Sequence, residues 1–397
     1  MTLNSAINIA TSGLTGFTQE LQTISNNVAN LNTPGYKATE TQFADLFPQN
    51  DNSQGNPQQS LGEGLQTLPP VINFSAGQVS QTGISTNLST SANSFFVLRD
   101  PTTGQILYTQ NGQFQFNSSG VLVDSTGKYH VQALSSNGIL TDLTQNGLQT
   151  SLPKASSTIT LNGNLSTTTS PQTVTPINVI DANGGTHVLT ATFTNSTSTP
   201  GTWSVAITDS SGNSVASGGA FVFSNGTIST TGGGNSFSFT YSPAGAPAMN
   251  LTLTLASTST YLATGSAMSV QSVDGYTAGS ISSTSFNQNG TLVVNYSNGN
   301  TANGPTVALA NFANTSSLTE VNNNAFLSSD SSQGQLGTAG INSTWGTISN
   351  NSVEGSNVNL SAEFSNMIST QRGYQASSEV ISTVNQMMQN LFDMKGH

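Results

Sequence analysis

The amino-acid sequence predicts a multi-domain, mainly β protein: an inner and an outer β domain of hairpin-rich barrel or sandwich type, nested between N- and C-terminal α-helices that form a coiled-coil-like core layer. Three observations carry that expectation. Large apolar residues fall at Leu3, Ile7, Ala10, Leu14, Phe17, Leu21, Ile24, Val28 and Leu31, in steps alternating between four and three, the seam of a helix that docks along a partner helix. A second amphipathic stretch arises only near Leu360 to Leu391. Between them lie short β-branched and aromatic runs punctuated by Asn-Gly, Ser-Gly and Pro turns.

The first helix stops at Asn32-Thr33-Pro34-Gly35, because proline cannot continue a helix and glycine admits the turn. Residues 37–75 form a linker of extended or hairpin character, with Pro48 to Pro57 as its loop. Phe95-Phe96-Val97-Leu98, Ile106-Leu107-Tyr108, Phe114-Gln115-Phe116 and Val121-Leu122-Val123 then read as a meander of hairpins. A further β region runs from about Thr158 to Leu262, with strands around Ile177–Ile180, His187–Phe193, Trp203–Ile207, Ala220–Phe223, Phe237–Tyr241 and Leu251–Leu255. Hairpins return from Gly275. The final helix is capped by Asn357 or Asn359, has Glu363 in its first turn, and carries Leu360, Phe364, Met367, Tyr374, Ile381, Val384, Met388 and Leu391 on its apolar side. This order implies nesting: 1–36 with 355–397 as helical core, 37–75 as linker, 76–155 with 270–354 as inner β domain, and 156–269 as inserted outer β domain. The two helices are expected to pair with each other and with copies of themselves.

Composition narrows the function. Only 6 % of the 397 residues are charged, and 17 acids against 6 bases give a net charge of −11. So few cations cannot neutralise a phosphate backbone, which excludes strong nucleic-acid binding. The surface is carried by Ser, Thr, Asn, Gln and Gly, which suits stacking of copies without like-charge repulsion. No cysteine is present, and no apolar run is long enough for a transmembrane helix. The N-terminus shows neither the basic segment nor the apolar block of a secretory signal, the first base being Lys37, so export is expected to leave it intact.

No catalytic, cofactor or metal constellation emerges. His130, His187 and His397 lack metal-ligand spacing, and Gly232-Gly233-Gly234 is not followed by the Lys and Ser/Thr of a phosphate loop. Asp100 and Asp124 sit where turns want a side-chain acceptor. Phe95, Phe114, Trp203 and Phe221 read as core, and Arg372 as a solvated or inter-subunit cation.

Ser12-Gly13-Leu14 followed by Ile24-Ser25-Asn26-Asn27-Val28-Ala29-Asn30-Leu31-Asn32-Thr33-Pro34-Gly35-Tyr36-Lys37 resembles the N-terminal signature of bacterial flagellar rod and hook proteins. Ser356-Asn357-Val358-Asn359-Leu360-Ser361 and Met367 to Gln375 are similar to the family's C-terminal signature. Phe95 to Phe114 resembles its first hairpin block, and Ala308 to Phe312 with Leu318-Thr319 its return segment. One departure is Ser91-Ala92-Asn93-Ser94, where the family has a glycine-rich approach. Asn26, Asn27, Asn30, Asn32, Thr33, Pro34, Gly35 and Tyr36 are the matching motif positions.

The resemblance implies a self-assembling helical polymer, located in the flagellum, exported by the flagellar type III apparatus, and contacting rod and hook–filament junction proteins and a hook cap. The inserted domain matches the longer members, which form a curved tube acting as a universal joint for motor torque. The alternative is a distal rod driveshaft, which lacks such a domain; a Ser/Thr/Asn-rich surface adhesin is the rival from another class. A free subunit is expected to have largely disordered termini, because an unpartnered heptad helix is marginal in water.

Overall fold

The computed structural model describes residues 3–46, 64–91, 93–199, 201–229, 234–328, 334–341 and 343–395. The 48–57 loop, Ala92, Gly232, Gly233, His397 and the side chain of Leu3 lie outside the described residues. The chain divides into two compact units: Met1–Asn146 with Thr284–Val293 and Asn303–His397, and Gly147–Ser283 with Val294–Ala302. The protein is mainly β, with one long helix toward each end: α1 (Leu3–Ala29) and α2 (Leu360–Lys395).

In the first unit, α1 is followed by an antiparallel hairpin of β1 (Thr39–Asp45) and β2 (Leu65–Ile72). Its main sheet runs Leu318–Glu320, Ala325–Ser328, Ile106–Thr109, Phe95–Arg99, His130–Leu134, Leu122–Asp124 and Phe114–Phe116. Phe95-Phe96-Val97-Leu98 is buried on both faces, which is why it reads as an unbroken apolar run rather than an alternation. Phe95 meets Phe74, Phe312 and Phe326 edge to face at 5.5–6.2 Å.

The turns between strands reuse one device. An Asp, Asn or Ser carbonyl accepts from the glycine three residues on, at Asn117/Gly120, Asp124/Gly127, Ser135/Gly138, Asp181/Gly184, Asp209/Gly212 and Asn287/Gly290. Asp124 Oδ1 also accepts from the backbone N–H of Lys128 and Tyr129, and Gly127 closes the turn at φ 75°, a conformation that disfavours any side chain. Asp100 does the same for Thr102 N.

The second unit is a β-sandwich. One sheet runs Asn164–Ser166, Thr260–Leu262, Thr227–Ile228, Ser214–Ser224, Thr202–Asp209, Thr186–Asn195 and Gln172–Ile180; the other runs Ser236–Tyr241, Met249–Leu255, Thr158–Asn162 and Ser269–Val273. Strand alternation sends Val205, Ile207, Leu251 and Leu253 inward, and one core holds residues of both sheets around Trp203, Phe193 and Phe221. Thr158–Asn162 pairs parallel with Met249–Leu255 and antiparallel with Ser269–Val273.

Candidate assembly site

α1 and α2 pack antiparallel: Asn27 reaches Glu363, Phe17 lies on Gly373, and Gly13 faces Ser377. The approach is close because small residues permit it. A Cβ on Gly373 would stand 2.6 Å from Phe17 Cζ, and one on Gly16 would stand 2.5 Å from Leu65 Cδ1 of β2. The inward side of α2 is Glu363, Met367, Thr370, Gly373, Ser377, Ile381, Val384 and Met388. Of the residues that periodicity picks out, Ile24 and Val384 are buried, and Ile7, Leu14, Phe17, Leu21, Val28, Leu31, Met367, Ile381 and Met388 are half-buried.

Leu360, Phe364, Tyr374 and Leu391, expected on the same apolar side, are exposed instead, while the Phe17 ring lies on Gly373. Ile368, Val380, Met387, Phe392 and Met394 are also exposed, reaching 69 % at Phe392 and 84 % at Met394. α2 has 36 residues to the 27 of α1, and its last turns carry the most exposed of these groups.

Beyond α1 the motif residues build a polar joint. Buried Asn27 uses both ends of its amide: Oδ1 accepts from Tyr36 Oη at 3.1 Å and Thr39 N at 3.0 Å, while Nδ2 donates to Thr39 O and Glu363 Oε1, both at 2.9 Å. Asn30 Nδ2 donates to Asn26, and Thr33 Oγ1 donates to Asn30 Oδ1. Pro34 O accepts from Asn324 Nδ2 at 3.0 Å. Gly35 stands at φ 70° with Asn111 against it, a place no Cβ can occupy, and its N–H donates to Glu354 O at 2.8 Å. Asn32 is exposed.

Next to it, Lys37 Nζ contacts Glu354 Oε1 at 2.7 Å, with side-chain exposures of 0 % and 5 %. Lys37 also donates to Ser75 O, and Gly77 N donates to the same Glu354 oxygen. Burial pushes the Lys37 ammonium below its usual range, although Glu354 opposes this. Burial likewise raises the Glu363 and Glu320 carboxyls and the Tyr36 phenol. Asn357 Oδ1 accepts from Ala38 N at 2.7 Å, and Nδ2 donates to Asn73 O and Ser75 O. Asn359 caps α2 by accepting from Ser361 N and Ala362 N.

Sequence reading names neither the Lys37–Glu354 pair nor the ties of Asn357. The signal available is sparseness: a base directly after the motif and an acid just before α2, in a chain with few of either.

His130 and His187 contact Asp142 and Asp181, and Arg372 is exposed on α2. Partial burial alone would raise the Asp142 carboxyl, but hydrogen bonds from Arg99, Gln132 and His130 outweigh it and hold its pKa at about 2. No group of three His, Cys, Asp or Glu side chains that could hold a metal occurs among the described residues.

Three family signatures match in chain order: "Flagella basal body rod protein" over residues 7–37, "Flagellar hook protein FlgE/F/G D1 domain" over 91–167, and "Flagellar basal body rod FlgEFG protein C-terminal" over 349–394. The flagellar hook protein FlgE of Escherichia coli is 29 % identical over 98 % of this chain and 100 % of its own length. The FlgE of Salmonella typhimurium is 28 % identical over 97 % of this chain and 99 % of its own. The flagellar basal-body rod protein FlgG of Borreliella burgdorferi is 30 % identical over 30 % of this chain and 48 % of its own. The matches define a class of structural proteins of the bacterial flagellum. The signatures are those of flagellar rod and hook proteins, and the two FlgE relatives that match this chain end to end are flagellar hook proteins.

Proposed function

We propose that this chain is the structural subunit of a flagellar hook, polymerising into a curved helical tube that passes motor torque to the filament as a universal joint. The end-to-end likeness to hook proteins, against a partial likeness to a rod protein, carries this reading. In the tube, the terminal helices line the core as one layer, with 1–36 and 355–397 innermost, 76–155 with 270–354 outside them, and 156–269 outermost. The assembly residues are Ile7, Leu14, Phe17, Leu21, Ile24, Val28, Leu31, Met367, Ile381, Val384 and Met388 within the helix pair. Leu360, Phe364, Tyr374 and Leu391 bind other copies, and the Asn26–Tyr36 motif anchors the pair to the β scaffold. The apolar stripe exposed on α2 supports the second assignment, since water contact with so many large side chains favours association. Head-to-tail contacts that do not close produce an open helical polymer. Rod, junction and cap proteins and the type III export apparatus are the expected partners.

Electron microscopy of the purified chain under polymerising conditions tests this. Curved tubes are expected; short straight rods would favour the driveshaft alternative, and failure to form any polymer would count against both.

A further inference from the structure

The root of the inserted unit holds a carboxylate whose placement is not explained by the strands it joins. The segments that lead into and out of the unit are zipped antiparallel, with Thr150 opposite Ser280, Ser151 opposite Gly279, Lys154 opposite Tyr276 and Ile159 opposite Val273. From the Lys154–Tyr276 bridge to the Ile159–Val273 pair the incoming segment advances five residues and the outgoing one three, so the incoming segment bulges. A bulge leaves backbone donors without a ladder partner, here including those of Ser157 and Thr158.

Asp274 supplies it. Its Oδ1 accepts from Ser157 N at 2.7 Å and Thr158 N at 2.8 Å, and its Oδ2 accepts from Ser157 Oγ at 2.8 Å and Lys154 Nζ at 3.2 Å. Of the other bulge donors, Ser156 N goes to Ile180 O at 2.8 Å, and Ser156 Oγ accepts from Ile180 N at 2.8 Å. A Cβ on Gly275 would lie 2.2 Å from Ser156 Oγ, so the residue after Asp274 must be small for the two segments to close.

We propose that Asp274 is a latch: its four hydrogen bonds hold the incoming segment 154–158 against the outgoing one and close the inserted unit at its root. Without the carboxylate's charge, residues 154–158 open locally while the sandwich core stays folded. The same bonds hold the Asp274 carboxyl well below the usual carboxylate range, although partial burial acts in the opposite direction. Lys154 is the outermost part of the latch, with its side chain 52 % exposed.

The latch is read on the free full-length chain and does not depend on assembly. Hydrogen exchange of wild type and Asp274→Asn at neutral pH is the first measurement. Two charge-assisted backbone hydrogen bonds are weakened, so exchange at Ser157 and Thr158 should accelerate about tenfold or more, with the Thr186–Asn195 strand within about twofold. Trypsin is the second: cleavage after Lys154 should speed up by a similar factor, with cleavage after Lys128 unchanged. Equal exchange rates at 157 and 158 in the two proteins, or acceleration spread evenly over the whole unit, would overturn the proposal. Should Asp274→Asn fail to fold, Ser157→Ala decides: acceleration of about threefold at the same amides supports the latch, and none refutes it.

Discussion

Trp203, Phe193 and Phe221 lie at 0 % exposure inside the sandwich of the inserted unit, whereas Phe392 and Met394 of α2 stand at 69 % and 84 %. The two regions treat apolar surface oppositely. The sandwich brings residues of both sheets into one core of its own and sets Thr, Ser and Asn on its outside. The helix pair buries a narrow seam and leaves Phe364, Tyr374, Leu391, Phe392 and Met394 in water. A region that completes itself tolerates isolation, and one that does not is built for company. Between these extremes sits the joint of Asn27, Lys37, Glu354 and Asn357, whose polar contacts tie the helices to β scaffold of the same unit beside a small apolar cluster of Tyr36, Ala38 and Val358.

The contrast is broken most severely by Trp203→Ala. Emptying the centre of the sandwich should cost about 3–5 kcal/mol. Denaturant unfolding followed by hydrogen exchange of the Thr186–Asn195 strand and by helix circular dichroism would check it, the expectation being early loss of the inserted unit with the helix signal retained. A coincident loss of both signals would show that the sandwich is not self-sufficient.

Glu354→Gln comes next. It leaves the Lys37 ammonium fully buried beside a neutral amide, and breaking a buried pair costs about 3 kcal/mol. Replacing both partners, Lys37→Met with Glu354→Leu, should recover much of that loss because no charge is then left unpaired. Urea midpoints of the three proteins provide the test, and a double variant no more stable than the single one would mean that Ser75 and Gly77, not the charge pair, set the cost.

Much of this architecture is legible in the chain. The four–three spacing from Leu3 to Leu31 and the apolar repeat after Leu360 mark both helices, since burial against a partner imposes a period on helical sequence. The Asx-x-x-Gly turns mark the hairpins, because both the acceptor and the positive-φ residue sit within four positions of each other. What is not legible depends on partners far along the chain. Glycine and serine carry no hydrophobic signal, so the seam through Gly13, Gly373 and Ser377 is invisible to periodicity, which favours Phe364 and Leu391 instead. The contacts of Asn27 with Glu363 and of Asn357 with Ala38 join opposite ends of the sequence, where local patterns say nothing. The parallel pairing of Thr158–Asn162 with Met249–Leu255 is equally remote.

A smaller effect separates the carboxylates of the first unit by pH. Asp142 has a folded-state pKa of about 2, below its ordinary value of 3.8, so its stabilisation is present above about pH 4 and is lost as pH falls towards 2. With solvent screening this amounts to about 1 kcal/mol. Glu363 has the opposite sign: burial raises its carboxyl above 4.5, so its contribution is complete below that pH and declines as pH rises through the folded value. Stability curves between pH 2 and 6 for Asp142→Asn and Glu363→Gln should therefore flatten in different windows. Identical curves would mean that neither group titrates with folding.

The smallest effect on the chain itself is expected where the effect on assembly is largest. Leu391→Ser with Phe392→Ser removes side chains that are 64 % and 69 % exposed, so the free subunit should keep its melting point to within about 0.5 kcal/mol of stability. The same two changes delete the apolar end of α2 that has no counterpart in its own chain. Polymer formation, followed by sedimentation and electron microscopy, should then fail at concentrations where the wild-type chain assembles. Asp209→Asn, at an exposed turn of the inserted sandwich, serves as the control and should leave assembly unchanged. If the Leu391/Phe392 variant polymerises like wild type, the exposed stripe is incidental and copies meet through another surface. If it loses several kcal/mol as a monomer, those side chains are part of the subunit's own core, and the contrast between a finished sandwich and an unfinished helix pair fails at its most exposed point.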